Sequence, residues 1–85
     1  MYELVVEIKR VKKKLDKYLK QRKDISLKLK RLCFNPRYEL GAHKLHGELR
    51  EKWSCWLGGN LRIIYVIDDE NKVIRVEKIG PHNIY

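Results

Sequence analysis

The chain has 85 residues, of which 44% are hydrophobic and 36% are charged, and its formal net charge is +9. A chain of this length builds one hydrophobic core, so we expect a single domain over residues 1–85 with any active site outside that core. No apolar run approaches the ~18 residues that a membrane span needs, which excludes a membrane-spanning class.

The N-terminal residues and the cysteines predict the cellular compartment. Met1 leads directly into a strand-like segment that contains Glu3 and Glu7, a pattern unlike that of a signal peptide. Cys33 and Cys55 fall in different predicted elements without CxxC spacing, so we expect two buried, reduced thiols. We therefore expect a cytoplasmic protein.

The N-terminal half of the chain predicts a strand followed by a helical hairpin. Residues 2–8 are rich in Val, Leu and Ile, which favours a strand. Apolar residues at helical spacing then predict a first helix of about three turns; they are Ile8, Val11, Leu15, Tyr18 and Leu19. A second helix, capped by Asp24 or Ser26 and ended by Asn35-Pro36, is predicted by another apolar stripe. Its members are Ile25, Leu29, Leu32 and Cys33.

Positive charge is concentrated in this predicted hairpin. From Lys9 to Arg31 there are twelve lysines and arginines but only two acids, Asp16 and Asp24, which gives this segment +10 and the rest of the chain −1. Phosphates or an acidic partner segment are the expected counter-charges, and a solvated lysine face is the alternative.

The C-terminal half predicts a loop or arm and then a sheet. Residues 37–50 are irregular, whereas residues 53–57, 61–67 and 73–79 have strand patterns joined by short turns. We therefore predict an α+β fold: an N-terminal strand, a two-helix hairpin and an antiparallel meander, in the order β-α-α-β-β-β. The helices are expected to cover one face of the sheet and to leave the other open for binding.

Three residues are candidates for chemistry on the open face. Arg62 interrupts an apolar strand, so it either snorkels to solvent or holds a phosphate with its guanidinium group. His82 follows Gly80-Pro81 and could transfer protons near neutral pH, although a surface histidine in a frayed terminus would look the same. Tyr85 could stack on a base or anchor the tail.

Two further histidines lie in the arm, three positions apart. His43 and His46 could in principle ligate zinc, but their spacing matches no standard zinc motif and no suitable cysteine pair accompanies them. We therefore expect neither a metal nor a cofactor. Trp53 and Trp56 have opposite parity in their strand, so one is expected to pack in the core and the other to offer a stacking surface.

Three segments together resemble the RelE/ParE superfamily of toxins. They are KLHGEL at residues 44–49, WSCWLGGNLRIIYVIDDE at 53–70 and IGPHNIY at 79–85. Their order and spacing, with the strand-helix-helix-strands layout, extend the resemblance over essentially the whole chain.

The resemblance implies site residues and an activity. Members of the RelE branch are small, metal-independent endoribonucleases that cleave mRNA in the ribosomal A site and are silenced by an antitoxin. By position, Arg62 matches the arginine that holds the scissile phosphate, and His82 falls where relatives have arginine or a catalytic histidine. Tyr85 matches a terminal aromatic residue, and His43 resembles the arm histidine of the YafQ-like branch.

The chain also departs from this pattern. In the second strand of the family, RelE relatives carry basic residues and YafQ relatives a histidine, where this chain has Cys55 and Trp56. Asn60 stands where the YafQ-like branch has an aspartate. One acid or base is therefore missing, and a slow or non-cleaving relative is an alternative.

The implied reaction is attack of an RNA 2′-hydroxyl on the adjacent phosphate, which leaves a 2′,3′-cyclic phosphate and a free 5′-hydroxyl. His82 and either His43 or His46 would supply the base and the acid, and Arg62 would supply the positive charge. Tyr85 would orient the base or the phosphate. RNA is expected to contact basic residues of the arm and the first helix; these are Lys44, Arg50, Lys52, Lys12, Lys13 and Lys14.

The implied partners are an acidic cognate antitoxin, the ribosome and mRNA, with no membrane and no small-molecule ligand. Two other classes stay open. One is a ParE-like inhibitor of DNA gyrase that does not cleave RNA, and the other is a basic module that only binds RNA or a protein partner.

Overall fold

A computed structural model describes residues 1–81 of the chain. In these residues two helices follow a short first strand, and four more strands complete the sheet. The elements are β1 (Glu3–Val5), α1 (Lys9–Gln21), α2 (Asp24–Phe34), β2 (His43–Lys44), β3 (Trp53–Trp56), β4 (Leu61–Asp68) and β5 (Val73–Pro81). The predicted α+β class and the order of its strands and helices are confirmed.

The strands form one mixed sheet in the order β1-β5-β4-β3-β2. The predicted meander of β3, β4 and β5 is antiparallel, whereas β1 pairs with β5 in parallel, with Glu3 beside Val73. This parallel pair is not joined by a direct crossover, since α1, α2 and strands β2, β3 and β4 all lie between β1 and β5 in the chain. The arm between α2 and β3 was predicted to be a loop, but it contains β2, whose His43 and Lys44 pair with β3.

The hydrophobic core lies between the helical hairpin and one face of the sheet. Both predicted helical stripes are buried there: Val11 and Leu15 from α1, and Ile25, Leu29, Leu32 and Cys33 from α2. Alternate residues of the strands face them, among them Cys55, Ile63, Tyr65, Ile74 and Val76. Each large apolar side chain buried in this way stabilises the fold by about 1.5–3 kcal/mol relative to an exposed one.

Two polar groups within this core are protected from solvent. Tyr65 is fully buried and its hydroxyl donates to the carbonyl oxygen of Pro36 at 2.6 Å, while burial raises the pKa of the phenol. Burial also raises the pKa of the Cys55 thiol to about 12. Both cysteines are free and buried, as the sequence predicted. No helix within residues 1–81 is both long enough and apolar enough to cross a bilayer.

Candidate functional site

Arg62 lies on the face of the sheet that points away from the helices. Its strand neighbours Leu61 and Ile63 are buried in the core, and alternation along β4 turns Arg62 the other way. Arg62 is directly opposite Trp56 of β3 and Gly80 of β5. Gly80 adds no side chain to this row of the sheet.

The charge of Arg62 is not neutralised within the described part of the chain. None of the ion pairs among residues 1–81 includes Arg62. Trp56, its cross-strand neighbour, is 49% exposed, and the indole Nε1 donates to the carbonyl oxygen of Gly59 at 2.8 Å. A cation without an ion-pair partner among residues 1–81 therefore lies beside an exposed, anchored aromatic ring, a combination that suits a phosphate with an adjacent base.

The turn that leads into β4 is held against α2 by two basic side chains. Arg22 donates to the carbonyl oxygens of Leu57 at 2.7 Å and Gly58 at 3.1 Å, and Lys28 donates to that of Leu57 at 3.1 Å. Gly58 has φ +92°, and a Cβ atom there would lie 2.6 Å from Nζ of Lys28 and 2.8 Å from Nη2 of Arg22. The positive φ therefore favours glycine at this position, and a larger residue would also displace the ends of Lys28 and Arg22.

Asp24 completes this arrangement, which we call the turn clamp (Arg22, Asp24 and Lys28). Its carboxylate accepts from Arg22 at 2.6 Å and pairs with Lys28 at 2.9 Å, and these bonds hold its pKa well below the usual range. The predicted capping of α2 by Asp24 or Ser26 is wrong, since the N-cap residue is Lys23 and no side chain caps it. Asp24 is occupied by the clamp, and Ser26 donates to the carbonyl oxygen of Lys23 instead.

The arm strand β2 brings His43 to the same face as Arg62. His43 pairs with Ser54, which pairs with Ile64, and this row is next to the row of Arg62. Strand spacing places the Cα atoms of His43 and Arg62 about 12 Å apart, within joint reach of one dinucleotide. Nδ1 of the exposed His43 ring is 3.2 Å from the carbonyl oxygen of Gly41. A proton on Nδ1 in this contact leaves Nε2 free to accept another.

The middle of this face is less open than predicted. Ser54 and Ile64 are buried at 0% and 1% exposure, although both lie on the side away from the helices. Lys52 precedes β3 and forms an ion pair with Glu77 of β5, so their side chains bridge the face across β4. The two candidate site residues on this face, Arg62 and His43, therefore lie at its margins.

The other predicted residues of the arm are exposed but scattered. His46 precedes a short 3-10 turn, Gly47–Leu49, and Arg50 follows that turn. Lys44 lies opposite Trp53, on the other side of the sheet from His43. A cleft of about 710 Å³ lies along this arm, but Arg62 does not line it. The structure thus brings His43, rather than His46, to the face that carries Arg62.

Several of the twelve basic residues of the helical hairpin have internal partners. Arg22 and Lys28 belong to the turn clamp, Lys12 pairs with Asp16 at 3.5 Å, and Arg31 pairs with Glu39 at 2.7 Å. The exposed side chains of Lys13 and Lys14 project from α1. Lys14 also lines a cleft of about 280 Å³ with Tyr18, Gly80 and Pro81, which places it beside the end of β5.

Two ionisable residues near Arg62 were not predicted from the sequence. Glu77 and Lys78 lie where a β-bulge shifts the register between β4 and β5, and Lys78 pairs with Ile64. The buried positions of β5 change parity from Ile74 and Val76 to Ile79, a signal that could have revealed the bulge.

Two of the predicted site residues, His82 and Tyr85, lie outside the described residues. The structure therefore gives the positions of Arg62, His43 and the arm residues, and the predicted roles of all the site residues remain predictions. Within residues 1–81, no group of three or more His, Cys, Asp or Glu side chains could hold a metal ion.

Several solved structures of toxins share this fold. No protein-family model and no curated protein matches the chain. An archaeal RelE in complex with RelB from Pyrococcus horikoshii is 25% identical, with a TM-score of 0.69 over 99% of this chain and 98% of the other. A YoeB/ParE toxin from Agrobacterium tumefaciens is 15% identical, with a TM-score of 0.75 over 94% and 98%. A YafQ mutant from E. coli is 22% identical, with a TM-score of 0.63 over 95% and 93%.

These similarities extend over nearly the full length of both chains in each of the three comparisons. The chain has the fold of the RelE/ParE toxin superfamily, which confirms the resemblance found in the three sequence segments.

Proposed function

We propose that this protein is the toxin of a toxin–antitoxin pair and an endoribonuclease that cleaves mRNA on the ribosome. The observation that carries the proposal is the placement of Arg62. Its cationic side chain has no carboxylate partner among residues 1–81, lies beside the exposed ring of Trp56, and shares its face with His43. The fold shared with RelE, YoeB and YafQ toxins supports the same function.

In the proposed reaction the RNA supplies its own nucleophile. A base removes the proton of a 2′-hydroxyl, whose oxygen attacks the adjacent phosphorus while the bond from phosphorus to the 5′-oxygen breaks. An acid then protonates the leaving 5′-oxygen, so that the products are a 2′,3′-cyclic phosphate and a 5′-hydroxyl. Arg62 neutralises the dianionic phosphorane, an effect that typically contributes about 10²–10³ in rate.

The proton-transfer groups in this proposal are histidines. His43 serves as one of the pair and His82 as the other, with Tyr85 orienting the phosphate or the base. His46 is the weaker candidate because it lies in a turn beyond β2. No metal or cofactor takes part in this scheme, because a base, an acid and a guanidinium group are sufficient for 2′-hydroxyl attack.

The same proposal assigns roles to the basic surfaces. Lys13 and Lys14 of α1, with Lys12, dock ribosomal RNA, and the arm residues Lys44 and Arg50 follow the mRNA. Lys52 can add to this surface only in part, since Glu77 already neutralises it. An acidic antitoxin is the proposed protein partner, in keeping with the complexes of YoeB with YefM and of RelE with RelB.

A second candidate function is a ParE-like gyrase inhibitor that does not cleave RNA. One observation favours it: β3 presents no ionisable group to the face of Arg62. Cys55 is buried in the core, whereas Ser54 and Trp56 occupy the other face. The acid or base that the family resemblance implies at Cys55 or Trp56 of β3 is therefore missing.

Product chemistry on programmed ribosomes separates these functions. Purified protein is incubated with ribosomes that carry an mRNA labelled at its 5′ end. The proposal predicts upstream fragments whose 3′ ends cannot be extended until their 2′,3′-cyclic phosphate is removed enzymatically. The downstream fragments should begin with a 5′-hydroxyl. Intact mRNA, combined with inhibition of DNA supercoiling by gyrase in a parallel assay, would support the second candidate instead.

A further inference from the structure

Strand β1 covers only part of the outer edge of β5. It pairs with Val73, Ile74 and Arg75 and then ends, whereas β5 continues to Pro81. Within residues 1–81, the edge of β5 beyond Arg75 therefore has no strand partner. A cleft of about 570 Å³ lies here between β5 and the first two turns of α1, and we call it the edge cleft. Its volume is within the range of small-molecule sites.

Basic side chains dominate the lining of the edge cleft. Arg10 and Lys14 line it from α1, Lys78 from β5, and Lys52 from the segment before β3. Among the described residues, Glu77 supplies the one carboxylate of this lining, and its ion pair with Lys52 already neutralises it. Four cations and one carboxylate give the lining a net charge of +3, so an anionic ligand is expected.

The edge cleft offers little apolar surface to a ligand. Val11 and Ile79 line it, but each is only 4% exposed because both belong to the core. Ile8, which is 42% exposed, borders the cleft just before α1. A protein segment that docks through its side chains needs several apolar anchors, and a single isoleucine does not provide them. The edge cleft therefore suits a ligand that is held by charge.

Lys78 connects the edge cleft to the face of the sheet that carries Arg62. It is exposed and pairs with Ile64, which lies two positions after Arg62 in β4 and therefore on the same face. Arg62 itself pairs with Gly80, so Lys78 is its diagonal neighbour, at a Cα distance of about 7–8 Å. The edge cleft thus begins one row away from Arg62.

We infer that the edge cleft binds the phosphates of the RNA strand that follow the one held by Arg62, first at Lys78 and then at Arg10. The inference rests on the proposed function, because it takes the scissile phosphate to lie at Arg62. The base on one side of that phosphate stacks on Trp56, and the strand on the other side crosses β5 toward α1. Such phosphate contacts fix the path of the strand but not its sequence.

The alignment of these groups favours RNA over an acidic protein segment. Trp56, Arg62 and Lys78 lie on the successive strands β3, β4 and β5, and the edge cleft follows at the margin of β5. Sites for single-stranded nucleic acid combine stacking rings with a groove of cations that follows the backbone. The carboxylates of a peptide would use the cations but leave the ring of Trp56 without a partner. RNA is the ligand that occupies the whole row.

The test measures how affinity grows with the number of phosphates. Two RNA oligonucleotides, of two and four nucleotides, carry one and three phosphates, and 2′-O-methyl groups prevent their cleavage by blocking the attacking hydroxyl. Both should shift the NMR signals of Arg62 and Trp56 in the full chain. Only the longer one should also shift those of Lys78 and Arg10, and it should bind more tightly at the same salt concentration.

Charge variants test the two proposed phosphate ligands. Arg10→Gln/Lys78→Gln should lower affinity for the longer oligonucleotide by at least about 10-fold and reduce its log–log salt slope by roughly 1.4. Lys20→Gln/Lys30→Gln, the matched control, removes the same charge from exposed helical positions outside the cleft and should leave both values nearly unchanged. Glu77→Gln removes the carboxylate of the lining and should strengthen binding, a gain that unfolding does not produce.

Two other ligands identify the source of the bound anion. A nucleoside triphosphate carries three phosphates without a strand, and a tetrapeptide of glutamate carries carboxylates without phosphate. Either ligand would overturn the inference if it bound in the edge cleft as tightly as the longer oligonucleotide. Equal affinity of wild type and Arg10→Gln/Lys78→Gln for that oligonucleotide would also overturn it.

Ribosomal cleavage by the wild-type chain is measured in parallel. Normal cleavage that depends on Arg62, without any binding of RNA in the edge cleft, would overturn this inference and leave the proposed function intact. Binding of RNA in the edge cleft without any cleavage would contradict the proposed function alone.

Discussion

Arg62 lies directly opposite Trp56 in the pairing of β3 with β4, and its other cross-strand neighbour is Gly80. The guanidinium group therefore has an aromatic ring on one side and a position without a side chain on the other. In the proposed function, Arg62 binds a phosphodiester whose neighbouring base stacks on the exposed indole. The pairing of β3 with β4 thus brings together an arginine and an exposed aromatic ring, a combination that suits a phosphate with an adjacent base.

The two arm histidines should differ in importance, because only His43 shares a face with Arg62. His43→Gln should lower the rate of ribosomal mRNA cleavage by about 10²-fold, as expected for removal of one acid or base. His46→Gln, the matched control, should stay within about threefold of wild type. The measurement is the single-turnover rate on programmed ribosomes, and the reverse order of the two effects would remove His43 from the site.

Lys14 should contribute to ribosome binding because it is exposed on α1 and lines the cleft beside Gly80 and Pro81. Lys14→Glu should weaken binding and lower the slope of log affinity against log salt by roughly 1. Lys72→Glu makes the same change of charge on the turn between β4 and β5 and should leave the slope nearly unchanged. Equal slopes for the two variants would mean that α1 does not dock RNA.

The turn clamp should make Gly58 far less replaceable than other glycines with positive φ. Gly47 has φ +69°, and a Cβ atom added there would have no neighbour within 4 Å, so Gly47→Ala should cost only about 1 kcal/mol of backbone strain. Gly58→Ala should cost roughly 2–3 kcal/mol, because it adds an unfavourable φ to the displacement of Arg22 and Lys28. Urea denaturation measures the loss of unfolding free energy in both variants. Equal losses would show that Arg22 and Lys28 move away from the added Cβ atom without destabilising the fold.

Acid should destabilise the fold through Asp69. Hydrogen bonds from Arg37 and Tyr2 lower the pKa of this carboxyl to about 2, whereas an unfolded aspartate titrates near pH ~4. Between these values the unfolded chain binds more protons, so the stabilising effect of Asp69 is present above about pH 4 and is lost as pH falls toward 2. Asp69→Asn should therefore be less stable than wild type at pH 6, and the difference should shrink by pH 2. A difference that does not change with pH would contradict this assignment.

Much of the fold could be predicted because local patterns and tertiary packing agree. The stripes of α1 and α2 are buried as their spacing indicated, and β3, β4 and β5 have the predicted order. Strand β2 was not predicted, since two residues carry no periodic signal and their pairing depends on β3. The parallel pairing of β1 with β5 was also missed, because nothing within residues 2–8 specifies a partner 70 positions away.

The candidate site could be predicted only in part. Arg62 was recognisable because a charge in an apolar strand must reach one surface. The ion pair of Lys52 with Glu77 could not be anticipated, because it depends on the β-bulge and on side chains that meet across β4. For the same reason Arg22 and Lys28 looked like part of a binding surface, although both hold the turn at Gly58.

The most direct test of the proposed function is a map of cellular mRNA 5′ ends after induction of the protein. Wild type and Arg75→Ala should both give cuts that follow the reading frame, since Arg75 pairs with Asp68 away from the row of Arg62. Arg62→Ala, folded and present at the same level, should lower the frequency of these cuts by at least about 10²-fold. Growth arrest by wild type without any such cuts, or equal cutting by Arg62→Ala, would contradict the assignment of this protein as an endoribonuclease that acts through Arg62.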